Sequence, residues 1–451
     1  MDSRNHAVVI GASLAGLASA CVLAKYFTRV TLVERDTLSH AREFRKGVPQ
    51  ARHAHGLTTR GAAMLESLFP GLRLELEQAR AAVIDQGESI STWGSAGRIP
   101  FNPVGLTLQM CTRPLLEASI RRRVMALHGV KCLEGHEVVQ LLMTGREASG
   151  VMVRRCTPDG TALPTPLAAD WVVDASGRLS NMAHWLQQLG LEPPAAEVVD
   201  AGVVYASCTF KTASQPWGAL YQLNRVPDQP RGVYAVYTER GEWLVTLYGA
   251  MGDKPGVDER AFRDFAATLG NPDLDTLLDK AVCLSSVTRY GRTENQRRAY
   301  ATMSDWPQRL VVVGDAACAF NPVYGQGMTL AVKQALMLGE LFSGARAGPG
   351  TARRFQRAQQ QVTAWPWRLA VSDDVLWQAR LNQRQGPLSA RAFNAYKALL
   401  YRAVMHDPVL YRLFLQVFHQ VRHPLCMFSA RPLARAAQQW FRSRWSVKPV
   451  D

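Results

Sequence analysis

A glycine-rich turn near the amino terminus carries the first residues whose types and spacing indicate chemistry. The apolar run that starts at His6 ends in Gly11-Ala-Ser13-Leu-Ala-Gly16, and a second β-branched run closes at Glu34, 23 residues after Gly11. Gly11 permits a tight turn, Gly16 lets a helix approach the strand, and the amide groups at the helix start attract a pyrophosphate. Glu34 would accept hydrogen bonds from an adenosine ribose. The pattern predicts a dinucleotide site, with a purely structural turn as the alternative.

Two further motifs place a carboxylate just past a buried strand. One is Trp171-Val-Val-Asp174-Ala-Ser-Gly177-Arg178, and the other is Leu310-Val-Val-Val-Gly314-Asp315, followed by Pro322, Gly325 and Gly327. A carboxylate at such a strand end can accept charge-assisted hydrogen bonds from a sugar-alcohol chain. The helix that begins near Gly327 directs its positive end toward the same crevice, where it would stabilise an electron-rich ring.

Taken together, these three motifs resemble, in order and spacing, the FAD-dependent aromatic hydroxylase family over residues 5 to 345. The stretch Gly47-Val-Pro-Gln50 with His53-Ala-His55-Gly-Leu57 is similar to the subgroup of bacterial epoxidases that act on polyketide and terpenoid substrates in secondary metabolism. The resemblance implies FAD as cofactor, O2 as oxidant, and NAD(P)H or reduced flavin from a separate reductase as the source of electrons. It also implies that the flavin carries the chemistry through its C4a-hydroperoxide, so that no catalytic side chain is assigned.

Cofactor contacts follow from the same resemblance, residue by residue. Arg113 would hold FAD, Val138 would contact the adenine through its backbone, and Asp315 would bind the ribityl chain. Gly327 and Met328 would donate amide hydrogen bonds to the flavin, and the loop with Arg42, Arg45 and Gln50 is expected near its ring. The predicted cofactor-binding residues are Gly11, Ser13, Ala15, Gly16, Glu34, Arg35, Arg42, Gln50, Arg113, Val138, Asp174, Asp315, Gly327 and Met328.

Two positions depart from the family pattern. Ser13 stands in place of the usual middle glycine, so a phosphate would approach a backbone that carries a small side chain. The inner motif has the form Asp174-Ala-Ser-Gly177, which leaves open whether the nicotinamide reductant docks directly. His53 and His55 lack a carboxylate at fixed spacing, so structural or flavin-positioning hydrogen bonds are favoured over acid-base roles.

Other conspicuous side chains are weighed against packing roles. Cys318, just after Asp315, is interpreted as a packing residue rather than a flavin adduct. Asp373 and Asp374 are interpreted as a solvated helix edge. Three aromatic residues after the linker could equally line a pocket or fill a core, and the first two also fit the epoxidase subgroup: Trp365, Trp367 and Trp377.

An α/β scaffold must position these motifs. We predict a Rossmann-like FAD-binding domain formed from the discontinuous segments 1-79, 105-184 and 301-345, with an inserted antiparallel β-sheet in a substrate domain of residues 80-104 and 185-300. Residues 346-451 are predicted to form a basic helical segment after a glycine-rich linker. The predicted helices lie at 14–26, from 114 onward and at 327–341, and the predicted strands at 29–34, 107–111, 130–142, 151–155, 203–210, 232–237, 243–248 and 310–313.

Composition bounds the class of protein. With 451 residues, 47% hydrophobic and 20% charged, the chain is long enough for two or three packed units. Its eight cysteines contain no CxxC pair, which argues against a metal site and for a reduced, cytoplasmic compartment. No segment has the length and apolarity of a membrane span.

The positive charge is concentrated in the carboxyl-terminal segment. From Arg346 onward the chain has 17 lysines and arginines but only four acidic residues, whereas the net charge of the whole chain is +15. No nucleic-acid-binding signature accompanies them, so solvated helix faces are the favoured interpretation. Apolar residues mixed with arginines in Val409 to Phe418 and Trp440 to Trp445 leave a second interpretation, peripheral contact with an anionic membrane at its inner face.

The predicted function is an FAD-dependent monooxygenase that epoxidises or hydroxylates an apolar polyketide, terpenoid or alkyl-aromatic substrate. One alternative is a reductase or dehydrogenase that acts on an isoprenoid chain with the same scaffold. Another is a non-catalytic flavin-binding protein associated with a membrane. A flavin-dependent halogenase is disfavoured because the Trp-x-Trp-x-Ile-Pro signature associated with that group is missing.

Overall fold

The computed structural model describes residues 4–38, 43–94, 97–213, 215–344, 348 and 350–445, with backbone only for 440–445. Its strands are β1 (His6–Ile10), β2 (Arg29–Glu34), β3 (Gly56–Leu57), β4 (Val83–Asp85), β5 (Ile90–Gly94), β6 (Gly97–Arg98), β7 (Thr107–Met110), β8 (Val130–Glu134), β9 (His136–Thr144), β10 (Glu147–Arg155), β11 (Thr165–Ala168), β12 (Trp171–Asp174), β13 (Ala196–Val199), β14 (Val204–Lys211), β15 (Ala219–Gln222), β16 (Arg231–Tyr237), β17 (Trp243–Gly249), β18 (Val282–Cys283), β19 (Thr288–Tyr290), β20 (Asn295–Arg298), β21 (Leu310–Val312) and β22 (Cys318–Ala319).

The helices are α1 (Leu14–Leu23), α2 (Thr59–Leu68), α3 (Leu72–Gln78), α4 (Arg113–Met125), α5 (Met182–Gln188), α6 (Glu259–Ala267), α7 (Pro272–Asp279), α8 (Gly327–Ser343), α9 (Thr351–Leu381), α10 (Leu388–Val404), α11 (Pro408–Phe418) and α12 (Ala430–Trp445). Among the described residues, no helix is long and apolar enough to cross a membrane. Thr112 caps α4 by accepting a hydrogen bond from Leu115 N, and Pro114 occupies its first turn, as expected for a helix start.

A parallel sheet with the strand order β21-β12-β1-β2-β8 forms the centre of the first layer. Ile10 pairs in register with Asp174, and Asp174 pairs with Val312, so β1, β12 and β21 end at the same edge. The middle residues of these strands are apolar because α1, α4 and α8 cover the sheet; the core there includes Val8, Leu17, Ile120, Val172 and Val332. The α/β fold class is confirmed.

The second layer is a larger sheet that runs, within the described residues, in the order β18-β14-β17-β16-β15-β5-β6, with β19 beside β14. Its strands are antiparallel except for the parallel pair of β5 and β15. On one face Phe210, Trp243 and Val245 pack against Phe262 and Leu277 of α6 and α7. The helical carboxyl-terminal segment is confirmed, whereas the residue boundaries of the domains stay a prediction.

Candidate active site

Glycines at the common edge of the parallel sheet bring three backbone segments together. Gly11 follows β1 with φ of 96°, and a Cβ atom there would lie 2.7 Å from the carbonyl oxygen of Ala175, which follows β12. Gly314 lies just past β21 with φ of 65°, and its Cβ would lie 2.9 Å from the Cβ atom of Ala15 on α1. Both positions therefore require glycine, and both help to place the start of α1 at the sheet edge.

The first turn of α1 presents its amide groups to a cavity. Ser13 is the N-cap residue, but no side chain among the described residues caps the helix. A Cβ on Gly16 would lie 1.9 Å from the carbonyl oxygen of Gly11, so the helix packs directly on the turn. Ser13, Leu14 and Ala15 line the cavity. Uncapped amides and the helix dipole attract an anion such as a pyrophosphate.

A buried ionic cluster lies beside this helix start. Glu117 on α4 is 4% exposed and accepts hydrogen bonds from Ser13 Oγ at 2.6 Å and from Arg113 Nε at 2.8 Å. Arg45 Nη2 donates to it at 3.0 Å. Burial opposes ionisation of Glu117, but the charges of Arg113 and Arg45 outweigh it and lower its pKa to about 2. The cluster therefore stays ionised and holds two guanidinium groups beside α1.

Glu34 lines the same cavity at the end of β2, with part of its carboxylate already engaged. Its Oε2 accepts from Ala12 N at 2.8 Å, and its Oε1 accepts from Asp36 N at 3.1 Å. Arg45 Nη1 lies 3.1 Å from Glu34 Oε2 and 3.5 Å from Asp36 Oδ2. A carboxylate offers about four acceptor sites, so Glu34 keeps capacity for a ribose hydroxyl. The carboxylates of Glu34, Asp36 and Glu117 thus draw Arg45 toward α1, whereas the sequence predicted it near the flavin ring.

The cavity has a volume of about 740 Å³ and extends from the edge of the parallel sheet to the larger sheet. This volume falls within the range of about 300 to 1,000 Å³ that is usual for small-molecule and cofactor sites. It brings together most of the predicted cofactor-binding residues, namely Gly11, Ser13, Ala15, Glu34, Arg35, Gln50, Arg113, Val138, Asp315, Gly327 and Met328.

Two of the predicted residues that the structure describes do not line the cavity. Gly16 supports the turn from behind, as its spacing indicates. Asp174 is fully buried, and its carboxylate accepts hydrogen bonds from Ser176 N, Ser176 Oγ and Ser180 Oγ. It therefore shapes the turn after β12 and does not face a ligand, which corrects its assignment as a cofactor contact. Arg42 lies outside the described residues.

Asp315 and the start of α8 lie together on the cavity wall. Asp315 Oδ1 would be 3.7 Å from a Cβ atom on Gly327, the first residue of α8. Burial raises the pKa of Asp315, while Arg178 and Arg113 act in the opposite direction. No side chain in the described part of the chain caps α8, and Gly327 and Met328 both line the cavity. The cavity therefore holds a second uncapped helix start next to a carboxylate.

The end of the cavity that faces the larger sheet is mainly aromatic. Four tyrosines line it, and burial raises the pKa of each phenol, so all four are neutral at ordinary pH: Tyr205, Tyr221, Tyr234 and Tyr290. Tyr205 donates to Asn321 Oδ1 at 2.9 Å and Tyr234 donates to the carbonyl oxygen of Val323 at 2.6 Å. Two arginines lie near this end: Arg292 is exposed, whereas Arg178, whose charge acts on the phenols of Tyr205 and Tyr290, is largely buried and pairs with Glu294.

His53 and His55 belong to the same wall and are neutral. His53 Nδ1 shares a hydrogen bond of 2.7 Å with Ser207 Oγ, which in turn lies 2.7 Å from Thr246 Oγ1. His55 Nδ1 donates to the carbonyl oxygen of His53 at 2.7 Å. Burial lowers the pKa of His53 to about 3 and that of His55 to about 4. These contacts join the loop to the larger sheet, in line with the structural role favoured from the sequence.

Sequence reasoning was wrong about the acidic pair on α9. Asp374 is 1% exposed and accepts hydrogen bonds from Asn295, Asn321 and Tyr324, and Asp373 pairs with Lys397 at 2.5 Å. Neither is a solvated helix edge, because both have partners on other elements.

Among the described cavity-lining residues there is no tryptophan of α9 and no Cys318. Trp367, Trp377 and Cys318 are at most 4% exposed and belong to the core.

Several residues of the site were not predicted. Glu117 has a recoverable signal, since it lies four residues after Arg113 on a predicted helix, the spacing of an ion pair on one face. The tyrosines of β14 and β16 were assigned only to a sheet, and Tyr221 of β15 lies outside the predicted strands. Asp374 has no local signal, because its partners lie 50 to 79 residues away in the chain.

The residues present fit FAD. Two uncapped helix starts, at Ser13 and Gly327, suit the pyrophosphate and an electron-rich ring edge. Two carboxylates, Glu34 and Asp315, suit the hydroxyls of a ribose and a ribityl chain, and Arg113 adds a buried cation. Gly11 lines the cavity and has no side chain, so its backbone is accessible to a ligand.

Comparison with known proteins also indicates an FAD-binding protein. A family model described as "FAD binding domain" matches residues 4–372. The protein named Rv3254 from Mycobacterium tuberculosis is 32% identical over 395 residues, which cover 83% of this chain and 81% of that protein. Kynurenine 3-monooxygenase from Salinispora arenicola is 25% identical, with coverage of 91% and 93%. The structure of p-nitrophenol 4-monooxygenase from Pseudomonas putida has a TM-score of 0.63 at 18% identity and covers 94% of this chain and all of that chain, which shows a shared fold.

Proposed function

Because this chain belongs to the FAD-binding-domain family and is an FAD-dependent monooxygenase, we propose that it epoxidises or hydroxylates an apolar, uncharged polyketide, terpenoid or alkyl-aromatic substrate. The observation that carries the proposal is the aromatic end of the cavity. Four neutral phenols and two neutral imidazoles line it, Arg292 is exposed, and the largely buried Arg178 is already paired with Glu294. Such a wall favours ring faces and alkyl chains, with a few hydroxyl groups to orient them.

The charge of the wall argues against one substrate in particular. Kynurenine carries an ionised carboxylate and an ammonium group, and a buried ion without a partner costs several kcal/mol or more. A largely buried cation near this end, Arg178, already lies 3.5 Å from Glu294 Oε1 and donates to the carbonyl oxygen of Phe320, so it is not free to pair with the kynurenine carboxylate. We therefore propose a substrate different from that named for the Salinispora relative, although the two chains share a family.

The residues of this chain would bind FAD and the substrate, orient the substrate and exclude water. FAD, when bound, supplies the redox chemistry by taking up electrons and activating O2. Arg113 and the amides of α1 would hold its pyrophosphate, and Asp315 with the amides of α8 would hold the ribityl chain and ring edge. Tyr205 and Tyr234 keep their hydroxyls engaged on the loop at Asn321 and Val323, so they present ring faces to the substrate. His53 and Ser207 close the wall with internal hydrogen bonds.

The test of this proposal uses isotopically labelled O2. Purified protein loaded with FAD is incubated with NAD(P)H, or with a flavin reductase, and a panel of neutral polyketides, terpenoids and alkylphenols, with kynurenine as the charged comparator. We expect mass spectrometry to find one labelled oxygen in a neutral compound and none in kynurenine. Turnover of kynurenine, or product formation without O2 uptake, would contradict the proposal, the latter favouring a reductase.

FAD loading provides an independent control for the same experiment. Asp315→Ala should lower FAD occupancy sharply, because a charge-assisted hydrogen bond is worth about 1.5 to 3 kcal/mol. Asp305→Ala is the matched control, since this carboxylate is exposed and pairs with Arg146 away from the cavity lining. Equal occupancy in both variants would remove Asp315 from the cofactor site.

We also propose, as a separate point, that the carboxyl-terminal helices touch an anionic membrane at its inner face. Exposed apolar side chains lie beside exposed arginines on α10 to α12, including Leu388 at 77% and Val409 at 56% exposed. Peripheral contact of this kind would bring the enzyme to a reservoir of apolar substrate.

A further inference from the structure

A buried carboxyl group lies behind the cavity wall, on the long helix α9. Asp374 is two residues beyond the part of the chain that the family model matches. It belongs to α9 and is 1% exposed. Burying a carboxyl group costs free energy unless its oxygens have hydrogen-bond partners.

Three side chains from outside α9 donate hydrogen bonds to this carboxyl group. Asn295 Nδ2 on β20 donates to Asp374 Oδ2 at 2.6 Å, and Asn321 Nδ2 donates to the same oxygen at 2.9 Å. The hydroxyl of Tyr324 donates to Oδ1 at 2.8 Å. Asn321 and Tyr324 both belong to the loop that connects Asp315 with α8. The ionised carboxylate satisfies all three donors at once, which the protonated acid does less well.

The loop held in this way forms part of the cavity wall. Asn321, Val323 and Gly325 line the cavity between the proposed contacts of Asp315 and Gly327. Asn321 N donates to Asn295 Oδ1 at 2.8 Å, and Asn321 Oδ1 accepts the hydroxyl of Tyr205 at 2.9 Å. A chain of hydrogen bonds therefore runs from Asp374 through Asn321 to a tyrosine of the substrate end.

We propose that Asp374 is a positioning residue, whose carboxylate fixes the loop of residues 320–325 and, through Asn321, the hydroxyl of Tyr205 at the junction of the flavin and substrate ends of the cavity. The inference rests on the proposed function in that the loop is taken to face FAD. It adds the carboxyl-terminal segment to the machinery of the site.

The charges around Asp374 allow its ionisation to be followed. Burial raises the pKa of Asp374 to about 6, because desolvation outweighs its three hydrogen bonds. Asp373 on the same helix raises it further, although that carboxylate is paired with Lys397 of α10. From the other side the phenols of Tyr324, Tyr205 and Tyr248 face it. Loss of one donor should raise the pKa again, since each donor favours the charged form.

The experiment compares the visible circular dichroism of bound FAD across pH in matched variants. Asp374→Asn keeps the shape of the side chain and mimics its neutral form, and Asp373→Asn makes the same charge change one residue away. FAD occupancy is measured first on the parent protein, so that failure to bind FAD reports on the proposed function alone. Spectra are then recorded from about pH 5 to about pH 8, a range that spans the titration of a carboxyl group raised by burial.

We expect the parent protein to show a one-proton transition near pH 6 and Asp373→Asn to show the same transition at somewhat lower pH, because a neighbouring negative charge is removed. Asp374→Asn should show none and should resemble the parent at low pH. Tyr324→Phe should move the transition upward by roughly one pH unit, because one donor to the carboxylate is lost. A transition that persists in Asp374→Asn, or a parent spectrum that does not change with pH while FAD stays bound, would overturn the inference.

Discussion

The hydroxyl of Ser13 donates a hydrogen bond of 2.6 Å to Glu117, a residue 104 positions later in the chain. Ser13 stands where the family pattern has a glycine, so this chain uses the extra side chain to connect the start of α1 with α4. Arg113 Nη2 also lies 3.1 Å from Ser13 Oγ. The substitution therefore adds a member to the ionic cluster instead of only crowding the phosphate site.

Glu117→Gln should destabilise the protein at neutral pH. The folded-state pKa of Glu117 is lowered to about 2 from an ordinary value of 4.5, mainly by Arg113 and Arg45 against the effect of burial. The variant removes the carboxylate that Arg113 and Arg45 share, and although Arg45 keeps Glu34 and Asp36, the loss should cost roughly 3 kcal/mol in the free energy of unfolding. Denaturant unfolding of the FAD-free parent and variant at pH 7 measures this difference in the free energy of unfolding.

The pH dependence of that difference has a defined sign. Because the pKa is depressed in the folded state, the stability from Glu117 is complete above about pH 4.5 and is lost as the pH falls toward about 2. The gap between parent and variant should narrow over this window. Glu77→Gln, in an exposed pair with Arg73, is the control and should cost less than about 0.5 kcal/mol. Equal effects of both variants at pH 7 would show that the cluster is not a source of stability.

Glu34→Gln should weaken FAD binding by roughly ten- to a hundredfold, because a charged hydrogen-bond partner of the ribose is worth about 1.5 to 3 kcal/mol. Glutamine keeps the size of the side chain, whereas alanine would also release Ala12 N and Asp36 N from their acceptor. Glu134→Gln is the matched control, since Glu134 lies beside Glu34 on β8 and does not line the cavity. Fluorescence titration with FAD gives the affinities, and an unchanged value for Glu34→Gln would refute the ribose role.

Gly314→Ala should be more destabilising than Gly145→Ala, although both glycines have nearly the same φ, 65° and 61°. A Cβ atom on Gly145, in the turn between β9 and β10, meets nothing within 4 Å, so the cost is the backbone strain of about 1 kcal/mol. On Gly314 it would lie 2.9 Å from Ala15 Cβ, and overpacking adds about 1 to 3 kcal/mol. Thermal unfolding of the two variants measures the loss of stability in each, and the difference gives the cost of the contact with Ala15. Equal losses of stability would mean that α1 can move away from β21.

The features that the sequence predicts well are those with local causes. β2 has the predicted bounds, and the glycine turns at Gly11 and Gly314 follow from backbone conformation that few other residues adopt. The predicted helix at 14–26 ends instead at Leu23, since Ala24 to Tyr26 form a turn. Boundaries of this kind depend on packing at the helix end and are weakly encoded.

What the sequence could not predict depends on distant partners. The parallel pairing of β5 with β15 joins residues 90–94 to 219–222, and no periodicity within either segment indicates it. Asp174 was assigned to a ligand because a carboxylate past a strand is typical of cofactor sites, yet Ser176 and Ser180, a few residues later, take up its oxygens. Asp374 resembled a surface residue because charge on a helix is usually solvated, and only the fold brings Asn295 and Asn321 to it.

The carboxyl-terminal helices provide the last prediction, which concerns membranes. α10, α11 and α12 pack around Leu400, Leu410 and Met427, and this leaves other apolar side chains exposed, such as Leu425 at 55% and Leu433 at 42%. Arg412 and Arg422 are exposed on the same segment, and each basic residue near an anionic surface contributes about 1 kcal/mol. We therefore expect the FAD-loaded protein to sediment with anionic vesicles at low salt and to be released at high salt.

A charge-reversed variant makes this prediction specific to the segment. Arg412→Glu combined with Arg422→Glu should weaken vesicle binding at least about tenfold, because two attractive contributions of about 1 kcal/mol become repulsive. Arg73→Glu combined with Arg225→Glu makes the same change in net charge at exposed sites far from the segment in sequence, and should leave binding nearly unchanged. Equal weakening by both pairs would indicate attraction through net charge alone, without a defined membrane face. Equally strong binding to neutral vesicles would instead assign the contact to the exposed leucines and valines. If the protein does not bind vesicles at low salt, the membrane prediction is wrong. The helices would then serve to cover the cavity, because Phe418 of α11 lines its wall.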